Sequence, residues 1–175
     1  VKKIGEGAFA RYDKNGAAPA IEAVVLPESL TEVGDGIFLG CEHLSDVTLP
    51  SHWTAVPDYM FAYCIRLGSI NLPAGITRIG VYSFAGCEGL TQINLGNVTE
   101  IADYAFTSAK SLETVDLKSA VSVGIGAFAS TSLDGDITAN NLVTVGDYAF
   151  QSAYIDSFQA EKLAEIGIAA FQFNR

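Results

Sequence analysis

The sequence predicts a β-rich repeat solenoid of seven to eight coils, each 21–23 residues long. Three observations carry that expectation. Phenylalanine recurs as Phe9, Phe38, Phe61, Phe84, Phe106, Phe128, Phe150 and Phe171, at intervals of 29, 23, 23, 22, 22, 22 and 21 residues. Further apolar columns keep step with it. No unit is long enough to bury its own apolar residues, so neighbouring units must stack to close a core.

Each element of the coil follows from one column or pair of columns. Fourteen residues before each Phe, give or take one, stand Val24, Val47, Ile70, Ile93, Val115, Ile137 and Phe158. Twelve before come Leu26, Leu49, Leu72, Leu95, Leu117, Ala139 and Ala160. Segments such as "SINL" and "TQINL" place these between polar residues, and that alternation predicts a half-buried strand. Eight before Phe come Leu30, Trp53, Ile76, Val98, Ala120, Leu142 and Leu163, which reads Trp53 as a core residue. Five before come Ile4, Val33, Val56, Ile79, Ile101, Val123, Val145 and Ile166, and β-branching there predicts a second short strand.

A bend separates this second strand from the Phe. Glycine fills it at Gly5, Gly34, Gly80, Gly124, Gly146 and Gly167, with Pro57 and Ala102 in two units. Positive φ is the expectation at these glycines. An acid follows at Glu6, Asp35, Asp58, Asp103 and Asp147, as expected of an N-cap or Asx-turn on a short helical or 3-10 turn. The long first interval is an insertion at residues 10–20, where Asp13, Lys14, Asn15 and Gly16 supply turn chemistry. The ten residues 132–141 read as a loop made irregular by a one-residue slip of Leu133, lacking the ligand spacing of a calcium loop.

Composition narrows the function. Hydrophobic residues make up 49% and charged residues 17%, which argues against disorder. A net charge of −10 disfavours nucleic acid and anionic membrane as partners. No apolar run approaches the roughly 20 residues of a membrane-spanning helix, and "VKKIGEGAF" contains no signal-peptide apolar region. Both ends fall inside a repeat without a polar cap. The chain therefore reads as a single solenoid over residues 1–175, a segment of something longer, with open ends suited to end-to-end association.

The unit LxxIxLPxxxTxIGxxAFxxC, closest at residues 44–64 and 67–87, resembles the BspA-like, or treponemal-type, leucine-rich repeat. Later units depart from it: Pro50 and Pro73 give way to Gly96 and Lys118, and the Cys position to Ala109, Thr131 and Ala153. The resemblance implies a right-handed, curved leucine-rich-repeat superhelix. It further implies an extracellular or cell-surface microbial protein, with adhesion or host-protein binding as a role in some members.

Candidate chemistry is sparse. Cys41, Cys64 and Cys87 each lie three residues after Phe, in a column preceded by Tyr12 and continued by the small residues Ala109, Thr131 and Ala153, so they read as core packing. Stacked equivalents would have parallel Cβ vectors, which disfavours a disulfide. His43 and His52 hold no repeating relation to them, so neither a zinc set nor a Cys–His pair is indicated. No catalytic, metal or cofactor residues emerge.

Two surface columns remain as binding candidates. The first strand points outward through Asp46, Thr48, Ser69, Asn71, Gln92, Asn94, Thr114, Asp116, Asp136 and Thr138, continuing as Ser157 and Gln159. This polar row is the expected face for an extracellular protein ligand. Tyr59, Tyr82, Tyr104 and Tyr148, two residues before Phe, offer an alternative ladder for a glycan or protein. A third reading has the solenoid as a stalk that displays another domain and binds nothing itself.

Overall fold

The computed structural model describes residues 1–11 and 20–174, and the turn residues Asp13 to Gly16 of the insertion lie outside the described residues. The chain winds into one parallel-stranded β-solenoid. Every strand pairing is parallel and joins equivalent residues of successive coils, as in Val56↔Ile79 and Ile70↔Ile93. The second segment of the coils from Ala55 onward builds the longer sheet, while Lys3–Ile4 and Glu32–Val33 of the first two coils pair separately. Six strands stack there in coil order: Ala55–Val56, Arg78–Ile79, Glu100–Ile101, Ser122–Val123, Thr144–Val145 and Glu165–Ile166. The first segment forms three separate two-stranded ladders, Ala23–Val25 with Asp46–Thr48, Ser69–Ile70 with Gln92–Ile93, and Asp134–Thr138 with Tyr154–Gln159.

The core is a set of columns running along the solenoid axis. Phe9 through Phe171 form one stack of rings, with successive centroids 5.1 to 5.8 Å apart. Phe38, Phe61, Phe84, Phe106, Phe128 and Phe150 are fully buried, each contributing about 1.5–3 kcal/mol from burial alone. Near the C-terminal end Phe158 meets Phe150 and Phe171 at interplanar angles of 58° and 62°, an edge contact that the other coils fill with aliphatic residues. Trp53 is buried, as its column predicts.

The segment around each Phe differs from expectation. It contains no helix among the described residues and is a run of tight turns. Bonds to the third residue back, such as Ala85 N to Tyr82 O and Cys87 N to Phe84 O, close each turn. Apart from Gly135, left-handed backbone among the described residues falls at two columns, neither of them the predicted glycine column. Two residues before Phe, Gly7, Gly36, Tyr59, Tyr82, Tyr104, Gly126, Tyr148 and Ala169 all have φ between 53° and 59°. Two residues after Phe, Gly40, Tyr63, Gly86, Ser108, Ser130, Ser152 and Phe173 have φ between 58° and 71°.

Alternating hands turn every second amide toward the next coil. Tyr82 N donates to Asp103 O at 3.1 Å, Phe84 N to Ala105 O at 2.8 Å and Gly86 N to Thr107 O at 2.8 Å. The same three rungs recur between most neighbouring coils. A side chain in left-handed backbone costs roughly 1–2 kcal/mol, which the satisfied backbone groups of a buried turn offset.

The glycines four residues before Phe answer a different demand. A Cβ on Gly34, Gly80, Gly124, Gly146 or Gly167 would lie 2.3 to 2.6 Å from atoms of the preceding coil. Gly5 sits in the first coil, and a Cβ there would meet nothing within 4 Å. Close approach between coils, and no positive φ, is what glycine supplies at this position. Residues 132–141 are also more regular than a loop. Asp134–Thr138 is the second-longest strand in the chain, paired with Tyr154–Gln159 through a register shift between Gly135 and Asp136 that absorbs the slip at Leu133.

Candidate binding surfaces

The polar row of the first segment faces solvent as its alternation predicts. Asp46, Thr48, Ser69, Asn71, Gln92, Asn94, Thr114, Asp116, Asp136, Thr138 and Gln159 are exposed, with Ser157 half-buried. The structure brings the central part of the row together. Ser69, Asn71, Gln92, Asn94, Thr114 and Asp116 line one concavity of about 380 Å³. The row is not a single flat sheet, because Thr114 and Asp116 lie in a first segment that forms no strand, and the ladder breaks on either side.

Several side chains on this face are held in place. Asn94 Oδ1 accepts from Gly96 N at 2.9 Å, and Asp116 Oδ1 accepts from Lys118 N at 3.1 Å, the same two-residue turn in successive coils. Lys118 Nζ donates to Asp116 Oδ2 at 2.5 Å, and this hydrogen bond holds the Asp116 carboxyl below its ordinary range. Ser157 donates to Asp136 one coil away.

The tyrosine column divides. Tyr59, Tyr82 and Tyr104 stack with centroids 5.3 and 4.8 Å apart, whereas Gly126 separates them from Tyr148. A Cβ on Gly126 would lie 2.7 Å from the Tyr104 ring, so that ring covers the glycine. Ring faces within the stack are spent on each other, leaving edges and hydroxyls toward solvent. Burial, followed by the neighbouring Tyr104 and Tyr59, raises the Tyr82 phenol above its ordinary value. Tyr63, two residues after its Phe, is more exposed and lies against Gly86.

The three cysteines are buried and unpaired. Each S–H donates to the carbonyl of the preceding coil's anchor: Cys41 to Phe9 at 3.2 Å, Cys64 to Phe38 at 3.2 Å and Cys87 to Phe61 at 3.0 Å. Burial pushes the Cys41 thiol up to about 11 and the Cys87 thiol up to about 12, and raises Cys64 as well. Thr131 and Asn174 occupy the same column and also bond to anchor carbonyls, Thr131 to Phe128 O and Asn174 to Phe150 O. His52 is engaged elsewhere, with Leu30 O at 3.1 Å.

Three of the five acids before Phe bond across coils, where a cap on their own turn was expected. Asp58 Oδ1 accepts from Val81 N at 2.9 Å, Asp103 Oδ1 from Ile125 N at 2.8 Å and Asp147 Oδ1 from Ile168 N at 2.6 Å. From Asp58 onward the acid alternates with an aliphatic residue, Asp58, Val81, Asp103, Ile125, Asp147, Ile168, whereas the first three coils carry acids in succession, Glu6, Asp35 and Asp58. That alternation is visible in the sequence once the columns are set, and it is the signal for an inter-coil staple.

Stacked parallel ladders, an aromatic spine and one outward polar row define a leucine-rich-repeat solenoid. The chain belongs to the BspA type leucine rich repeat family, whose model matches residues 2–134 and 54–175. Among solved structures it is similar to a leucine rich cell surface protein from Faecalibacterium prausnitzii, at 35% identity and a TM-score of 0.57, over 66% of this chain and 29% of that one. It thus spans less than a third of that protein's length. It is also similar in fold to a leucine rich repeat protein from T. pallidum, with 24% identity and a TM-score of 0.70, over 97% of this chain and 68% of that one. No curated protein matches the chain.

Proposed function

We propose that the chain is a noncatalytic recognition scaffold of a cell-surface or secreted protein, binding an extracellular protein across the outward row of its first strand segment. The concavity lined by Ser69, Asn71, Gln92, Asn94, Thr114 and Asp116 carries this reading. Its polar side chains stand at successive coil positions, and Asn94 and Asp116 are held by their own turns, so little side-chain entropy is lost on binding. A surface location accords with the F. prausnitzii relative, itself a cell surface protein. The stacked tyrosines favour a glycan less, because sugar stacking needs a free ring face.

The test is a binding screen of the purified chain against extracellular-matrix proteins, alongside a glycan array. Each hit is repeated with Asn71→Ala, Asn94→Ala and Asp116→Ala combined. A saturable protein hit lost in that variant is the expected result. A hit retained by the variant moves the site away from the row, and silence throughout leaves the solenoid as a stalk.

A further inference from the structure

A trough of about 600 Å³ runs along the solenoid axis over the six-stranded sheet, on a different face from the polar row. Its floor is shallow because Gly124, Gly146 and Gly167 cannot carry a side chain against the preceding coil, and Ala102 adds only a methyl. One wall is the outward side of the sheet, from Arg78 and Glu100 through Thr144 to Glu165. The other wall is the alternating column Val81, Asp103, Ile125 and Asp147.

The trough is anionic, and its carboxylates are positioned. Arg78 is its one cation, and this guanidinium already bonds Glu100 at 3.1 Å and Asp58 at 3.4 Å. Asp103 and Asp147 are each pinned through Oδ1 by the next coil's amide. Their second oxygens have no protein partner among the described residues. Because aliphatic Ile125 separates them, the two carboxylates stand two coils apart, about 9.6 Å at the spacing of neighbouring strands.

That spacing selects a backbone. A β-strand returns a side chain to one face every two residues, about 6.7 Å. A polyproline II helix returns one every three residues, about 9.3 Å, and needs no backbone hydrogen bonds from its host. The host offers none, since the sheet's amides and carbonyls are spent on neighbouring coils. From Arg78 to Glu165 is four coil steps, about 19 Å, room for roughly six residues of such a helix.

We infer that the trough binds a proline-rich extended segment in the polyproline II conformation, with Lys or Arg at every third residue facing Asp103 and Asp147. Exposed Ile125 supplies the apolar contact between the two charges. The inference is independent of any ligand on the polar row.

Fluorescence anisotropy of two labelled nine-residue peptides at about 0.15 M salt, where only close charge pairs survive screening, tests it. One repeats Arg-Pro-Pro three times; the other has the same composition with its three Arg adjacent. The periodic peptide is expected to bind saturably, about tenfold or more tighter than the clustered one, and the Asp103→Asn, Asp147→Asn double variant to lose about tenfold or more. Asparagine keeps the Oδ1 acceptor for the inter-coil amide, so the fold survives and an unchanged melting curve verifies it. Thr144→Arg, which adds a like charge to the opposite wall without touching the coil stack, is expected to weaken binding as well. Equal affinity for both peptides, unsaturable binding, or full affinity in the double variant would each overturn the proposal.

Discussion

Cys41, Cys64 and Cys87 show how one atom type serves two demands of a stacked coil. A thiol is small and apolar enough for the core, yet it supplies a donor to the anchor carbonyl one coil away. Asn174 meets the second demand with an amide nitrogen in the same column, donating to Phe150 O one coil back, whereas the Thr131 hydroxyl turns to Phe128 O of its own coil. The column's small, buried character was legible from its occupants; the shared carbonyl acceptor was not, because Ala109 and Ala153 make no such bond. The pH response follows from the raised thiols. Folded and unfolded states are both protonated below the ordinary value of 9.0, so stability is complete there. As pH rises past that value the unfolded chain ionises first, and stability falls through the folded values of about 11 and about 12. Urea midpoints should therefore drop between pH 8 and 10.5, and drop less when all three cysteines are replaced by alanine.

At the scale of the coil, the glycine before the acid is the element most easily misread. Sequence reasoning assigns it a left-handed bend, since glycine is the usual occupant of positive φ. The left-handed positions are instead held by Tyr, Ser, Gly and Ala alike, and so mixed a column carries little compositional signal. What keeps glycine in place is contact with the coil before it, a long-range constraint that local propensity cannot express. The difference is measurable. Gly124→Ala, whose Cβ would lie 2.4 Å from Asp103 Oδ1, should cost about 1–3 kcal/mol in urea unfolding. Gly5→Ala, with nothing to strike, should be near neutral or slightly stabilising. The strand Asp134–Thr138 makes the same point in reverse: a bulge at Asp156 of its partner strand lets a slipped sequence keep its pairing.

For the whole molecule, the repeat length, the core columns and the outward polar row were all readable, because burial imposes one residue type at one spacing again and again. The trough was not foreseen, since it arises from what the glycines leave empty between two side-chain columns of different periods. Stability should be close to one-dimensional, each coil feeling only its neighbours. Phe84→Ala and Phe106→Ala remove adjacent rings of the spine, 5.2 Å apart, and their costs should couple by about 0.5–3 kcal/mol. Phe38→Ala and Phe150→Ala, five coil steps apart, should add within about 0.5 kcal/mol. Double-mutant cycles in urea distinguish the two cases, and strong coupling in the distant pair would contradict a nearest-neighbour stack.

The rungs between coils all point along the solenoid axis, from the paired strands to the amides around each Phe. A tension applied between the first and last coils would load every interface in series, pulling its hydrogen bonds straight open with no sliding of one strand past another. Such an array yields one interface at a time. Each released coil of 22 residues would pay out a tether of about 75 Å, so that the molecule lengthens in steps under load. A solenoid anchored at one end and held by a ligand at the other would act as an extensible shock absorber.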